Sequence, residues 1–122
     1  MTTHLKTQAV YVTDQSQALA FFIDKLDFEV RQDRPIGPTA RWLEVAPPGA
    51  TSAIVLYPRS MMLDWEQRRP SILFACADTR ATHAALAARG VPFKEPPHQM
   101  NWGTFAVFLD PDGNEFGLTD AA

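Results

Sequence analysis

Residues 108–120 read FLDPDGNEFGLTD and gather four carboxylates and an amide around one tight turn. Such a cluster can bind a hard cation through its oxygens, or it can simply turn the chain. A calcium loop of the helix–loop–helix kind needs oxygen donors at positions 1, 3 and 5, glycine at 6 and a bidentate glutamate at 12. Asp110, Asp112 and Asn114 supply the first three, but Glu115 stands where the glycine belongs and Ala121 where the glutamate belongs. Pro111 also stiffens position 2. The pattern suits a turn better, with Pro at the second position, Asp at the third and Gly113 where a positive φ is required.

The remaining reactive side chains are few. His4 lies near the N-terminus, and His83 falls in a helical pattern, where it is expected to face solvent. His98, in PPHQMNWG, is the histidine expected at a cleft edge and the candidate for proton transfer. Cys76 sits in an apolar strand pattern and reads as inert core. A single cysteine forms no internal disulfide, and with no apolar leader the expected compartment is the reducing cytoplasm. The net charge of -3, with no run of Lys or Arg, argues against nucleic acid or an anionic membrane as partner. No apolar run approaches the roughly 20 residues that span a bilayer.

These residues must be positioned by a chain of 122 residues, 46% hydrophobic and 20% charged, enough for one soluble domain or two small halves. The first part reads strand (Val10–Val12), cap (Asp14), helix (apolar stripe Ala18, Phe21, Phe22, Leu26), then three strands beginning at Phe28, in RWLEV and in AIVLY. The order is β-α-β-β-β. It returns in the second part, where SILFAC is a strand, Asp78 a cap and Gly90 a helix stop, followed by strands in VPFKEP, GTFAVFLD and EFGL. Asp14 and Asp78, Pro47 and Pro111, and Gly49 and Gly113 are each 64 residues apart, so the chain repeats. The expected division is a first module over 5–58, a linker over 59–69 carrying Met61, Met62, Leu63 and Trp65, and a second module over 70–119.

Paired β-α-β-β-β modules, the stretch YVTDQSQALAFFIDKLDFEV and the closing WGTFAVFLDPDGNEFGL resemble the vicinal oxygen chelate superfamily, which includes glyoxalase I, extradiol dioxygenases, fosfomycin-resistance enzymes and bleomycin-resistance proteins. The resemblance covers nearly the whole chain and implies an α+β fold of two tandem βαβββ modules. Asp27 stands where such proteins often have glycine, in a turn that aspartate tolerates. In the family's metalloenzymes the ligands are mostly His and Glu on the first and last strands of each module. Carried onto this chain, those positions are Thr7, Ser71 or Ile72, and Gly117, and the strand 52–57 has no His, Asp or Glu. A metal needs at least three converging N, O or S donors, so no metal and no other cofactor is expected.

Strand alternation completes the picture. Val10, Val12, Leu43 and Val45 suit the helix side, which sends Tyr11, Trp42 and Glu44 to the opposite face. The spacing of 64 adds Ala106 and Phe108. Asn101 and Trp102 join from the loop before GTFAVFLD, with His98 and Arg59 as further polar groups. The expected ligand-binding set is therefore Tyr11, Trp42, Glu44, His98, Asn101, Trp102 and Phe108, an aromatic wall with a few polar groups. Three functions fit. One is a metal-free protein sequestering an amphipathic or aromatic small molecule, as bleomycin-resistance proteins do. Another is a lyase, isomerase or dioxygenase with an atypical metal site. The last is a metal-free enzyme using Glu44 or His98 as general base. The family resemblance and the open sheet edges also imply a homodimer.

Overall fold

A computed structural model of the chain describes residues 1–121. They form two compact units, Met1–Pro70 and the stretch from Ser71 onward. Unit one contains β1 (Thr7–Val12), α1 (Gln15–Ala20), β2 (Glu29–Pro35), β3 (Arg41–Ala46) and β4 (Ala53–Pro58). Unit two contains β5 (Ile72–Cys76), α2 (Thr79–Ala88), β6 (Phe93–Met100), β7 (Gly103–Leu109) and β8 (Glu115–Asp120). Each unit is one β-α-β-β-β module with a four-stranded sheet, ordered β1-β4-β3-β2 and β5-β8-β7-β6. The first and last strands of each module pair in parallel (β1 with β4, β5 with β8), and the other pairs are antiparallel.

In unit one, Asp14 caps α1 by accepting from the Gln17 N–H at 3.0 Å. Gln15 then ties the helix to the sheet. Its amide donates to the carbonyls of Arg41 and Leu56 at 2.7 and 2.8 Å and accepts from the Arg41 N–H at 3.1 Å. The side chains of Val10, Val12, Leu43, Val45 and Leu56, none exposed, make the core on this helix side. The predicted single helix differs in one respect. After Ala20 it widens into a π-helical turn, Phe21–Lys25, that accommodates one extra residue while keeping Phe21 and Phe22 buried. Asp27 closes it at φ 59, the left-handed conformation its position demands.

In unit two, Asp78 caps α2 through the Ala81 N–H at 3.1 Å, and Gly90 stops it at φ 86. Beneath the helix Phe74, Phe108 and Phe116 stack with centroids 5.4–6.1 Å apart, and Phe93 tilts against Phe108. His83, expected in solvent, is half-buried with its ring edge-on to Phe93 at 4.5 Å. Its helix face is the one that meets the sheet. Cys76 is also half-buried rather than core, with its thiol 3.5 Å from the Thr119 carbonyl.

β6 runs further than its prolines suggested. The expected loop PPHQMNWG is strand as far as Met100, leaving Asn101 and Trp102 as a two-residue turn. Pro96 and Pro97 are tolerated because β6 is an edge strand whose register shifts between Glu95 and His98. The opening cluster of carboxylates is a turn. The buried Asp110 carboxylate accepts from the N–H groups of Asp112 and Asn114 and from the Asn114 amide, at 3.0, 2.8 and 2.8 Å.

Candidate functional site

The face of the first sheet turned away from α1 carries two rows of side chains. Register places Tyr11 beside Tyr57, and Arg34 beside Trp42. The rings continue the row across the sheet, with Tyr11 to Tyr57 at 6.0 Å and Tyr57 to Trp42 at 6.5 Å, both edge-to-face. The Arg34 guanidinium lies 5.9 Å from the Trp42 ring centroid and ends the row. The second row is Ala9, Val55, Glu44 and Gln32. Val55 is buried, and the Glu44 carboxylate lies beside it in this row.

Trp42 and Glu44 are two residues apart on one strand and therefore share this face. The indole Nε1–H donates to Glu44 Oε2 at 2.7 Å. Glu44 is only 7% exposed. Arg41, one residue before Trp42, lies instead on the helix side. There it forms two hydrogen bonds with Asp33 at 3.0 and 2.6 Å, and these hold the Asp33 carboxyl below the ordinary range. Beyond β4, Arg59 stacks over Trp65 at 3.8 Å and reaches the Thr13 hydroxyl at 3.4 Å, so both residues are engaged within the linker.

The second sheet presents a different open face. Phe105 and Val107 in β7, Gly117 and Thr119 in β8, and Leu73 in β5 share it by register. His98 and Trp102 flank Phe105, their rings 5.9 and 5.5 Å from it. The His98 Nδ1 lies 3.0 Å from the Pro96 carbonyl. Its Nε2 lies 3.7 Å from Glu95 Oε1, so both ring nitrogens face acceptors. Trp102 is 57% exposed, and Asn101 beside it is exposed as well.

Phe108 must be removed from the predicted set. It is fully buried among Phe74, Phe93 and Phe116 on the α2 side. The cause is a register slip. The spacing of 64 holds at the caps and at the turns, but the π-helical turn adds a residue to unit one, so Asp27 and Gly90 are 63 apart. Trp42 and Glu44 thus correspond to Phe105 and Val107, while Phe108 corresponds to Val45. A slip of one residue reverses the face of a whole strand. Asp110 restores 64 before the turn. Tyr57, Arg34, Gln32 and Phe105 were missed for want of this register. Alternation in AIVLY starting from Val55 was the available signal for Tyr57.

The positions where metal ligands would sit have the wrong chemistry. Thr7 pairs with Ala53, Ala9 with Val55, Ile72 with Phe116 and Leu73 with Gly117. Among the described residues no group of three or more His, Cys, Asp or Glu converges to hold a metal ion. These donors do not fit the metal centre found in some members of the fold. A separate hollow of about 470 Å³ lies between Thr13, Ser16, Thr39, Arg41 and Ser60. None of the expected ligand-binding residues lines it, and it lacks the apolar walls of a typical ligand site.

Two β-α-β-β-β modules with open sheet faces, one aromatic and acidic, define the glyoxalase-like class of fold. The sequence profile of the Glyoxalase/Bleomycin resistance protein/Dioxygenase superfamily matches residues 4–118, and the chain belongs to that superfamily. It is 46% identical over 120 residues to the uncharacterized protein YetH of Bacillus subtilis (strain 168), covering 98% of this chain and all of YetH. Among solved structures, a superfamily member from Sphaerobacter thermophilus superposes with a TM-score of 0.87 at 33% identity, covering 98% of both chains. TnmS3, an antibiotic binding protein from Streptomyces sp. CB03234, superposes with a TM-score of 0.83 at 35% identity, covering 99% of this chain and 98% of its own. No helix among the described residues is long and apolar enough to cross a membrane.

Proposed function

We propose that this is a metal-free binding protein that sequesters an amphipathic or aromatic small molecule in the cytoplasm. The observation that carries the reading is the row Tyr11–Tyr57–Trp42 on the open face of the first sheet, with a nearly buried carboxylate beside it. Aromatic rings stack on flat ligands, and an apolar face with few polar groups is the usual make-up of a ligand site. The similarity to TnmS3 supports a ligand of antibiotic type. Trp102 and Phe105, with His98 and Asn101 near them, offer a second aromatic surface on unit two. Exposed apolar residues there, Leu73 at 54% and Trp102, favour pairing with a second copy. Sedimentation at micromolar concentration should give a homodimer.

The test of binding is titration with two planar probes, cationic proflavine and anionic anthraquinone-2-sulfonate, read by tryptophan quenching and thermal shift. At least one should bind saturably below about 1 mM. Absence of saturable binding by both overturns the reading. A second reading, a metal-free enzyme, draws on His98, whose ring is oriented by the Pro96 carbonyl and lies near Glu95. Turnover of a bound compound that His98→Gln abolishes would favour it.

A further inference from the structure

We infer that Glu44 is the recognition group of the first module's open face, and that its ligand is a planar aromatic compound carrying a cationic hydrogen-bond donor, such as a protonated amine. This rests on the binding role proposed above and specifies its ligand.

The argument begins with the state of the carboxylate. Of the two Glu44 oxygens, Oε2 accepts from the Trp42 indole at 2.7 Å. Among the described residues no other hydrogen bond or ion pair reaches this carboxylate. Yet Glu44 is more than nine-tenths buried, and its neighbours across the strands are Val55 and Gln32, neither of them a cation. The other oxygen, Oε1, has no protein donor and still reaches solvent, so a ligand donor can replace water there without displacing a protein partner. The arginines nearby are turned to other uses. Arg41 is on the opposite face with Asp33, Arg34 lies against the Trp42 ring, and Arg59 lies against Trp65.

The surroundings fit one orientation of ligand. Trp42, the half-buried end of the aromatic row, offers a ring against which a flat ring system can lie with one edge at Glu44. The indole hydrogen bond fixes the carboxylate's rotamer, so the vacant oxygen is set before the ligand arrives. A carboxylate at this position forms its stronger bond with a charged donor and disfavours an anionic ligand.

The experiment compares proflavine and anthraquinone-2-sulfonate on the wild-type protein, Glu44→Gln and Trp42→Ala. The Glu44→Gln side chain keeps an acceptor for the indole but presents an amide N–H to the ligand. Proflavine affinity should fall about tenfold or more in Glu44→Gln, with the sulfonate unchanged or tighter. Unfolding midpoints measured alongside separate this from a merely structural role, which would lower stability without changing the preference between probes. If proflavine binds the Glu44→Gln protein as tightly as wild type while Trp42→Ala weakens it, the aromatic binding face stands and the role of Glu44 is overturned. If the wild type prefers the sulfonate, the inference is overturned even though binding is established. If neither probe binds the wild type, both readings fall.

Discussion

The two modules share strand order, caps and turns, but finish their open faces differently. The first carries rings and a carboxylate with one oxygen vacant. The second carries apolar side chains, of which Leu73 and Trp102 are exposed. At Gly117 an added Cβ would lie 2.8 Å from the Leu73 side chain and 3.0 Å from the Phe105 ring, so glycine is what lets those two side chains meet across β8. In the first module the corresponding residue is Val55, buried and flanked by Ala9 and Glu44. The same scaffold thus makes a largely buried aromatic and acidic face in one module and a more exposed apolar one in the other. Function is set by which side chains occupy the face, and much less by the fold.

The largest effect that sharpens this comparison is at Phe108, in the core of the second module. Phe108→Ala should cost about 3–5 kcal/mol of stability, because a fully buried ring leaves a cavity among three other rings. Trp102→Ala, at a turn exposed in the single chain and covered only in the proposed pairing with a second copy, should lower the denaturation midpoint much less than Phe108→Ala. Urea unfolding of the two variants checks the contrast. Equal losses would mean that Trp102 is as deeply buried as Phe108 in the protein as it exists in solution.

Trp42→Ala on the first module should have a middling effect of another kind. Removing the ring strips the stacking surface and the hydrogen bond that orients Glu44. A bound planar cation should weaken roughly tenfold, from about 0.5–1.5 kcal/mol of aromatic contact plus the lost buried area. Stability should fall less than in Phe108→Ala, since Trp42 is only half-buried. Fluorescence titration beside thermal unfolding measures both.

Much of this was legible in the sequence, for reasons that differ by residue. Asp14, Asp78, Gly90 and the PDGN turn announced themselves because caps and left-handed positions admit few residue types. Trp42 and Glu44 were placed by the alternation of RWLEV alone. Phe108 was misplaced because its assignment relied on a spacing carried across a helix. A π-helical turn has no sequence signal of its own, and one extra residue there reverses the face of the strands that follow. The length of β6 was hidden by two prolines that an edge strand tolerates. The bond from Trp42 to Glu44 depends on side-chain rotamers, which spacing does not encode.

The smallest expected effect concerns how each module holds its helix to its sheet. In the second, Asp120 at the end of β8 accepts from the hydroxyl and the N–H of Thr79, the first residue of α2, at 2.7 Å each. The Thr79 hydrogen bonds hold the Asp120 carboxyl below the ordinary range. A carboxyl lowered on folding contributes stability above its unfolded pKa, about 3.9, and loses it as pH falls through the folded value. In the first module the strand ends at Pro58, and the tie is the uncharged Gln15. Asp120→Asn should therefore be slightly less stable than wild type at pH 7, with the gap closing as pH drops below about 4. Gln15→Ala should lower stability by a similar amount at both pH values. Asp110 has the opposite sign, because burial raises its carboxyl and its contribution is lost as pH rises through the folded value. Asp110 is common to wild type and both variants, so it cancels in the differences. Urea midpoints at pH 7 and about pH 3.5 decide the matter. A pH-dependent gap in Gln15→Ala, or a constant one in Asp120→Asn, would show that the two helices are tied down in the same way.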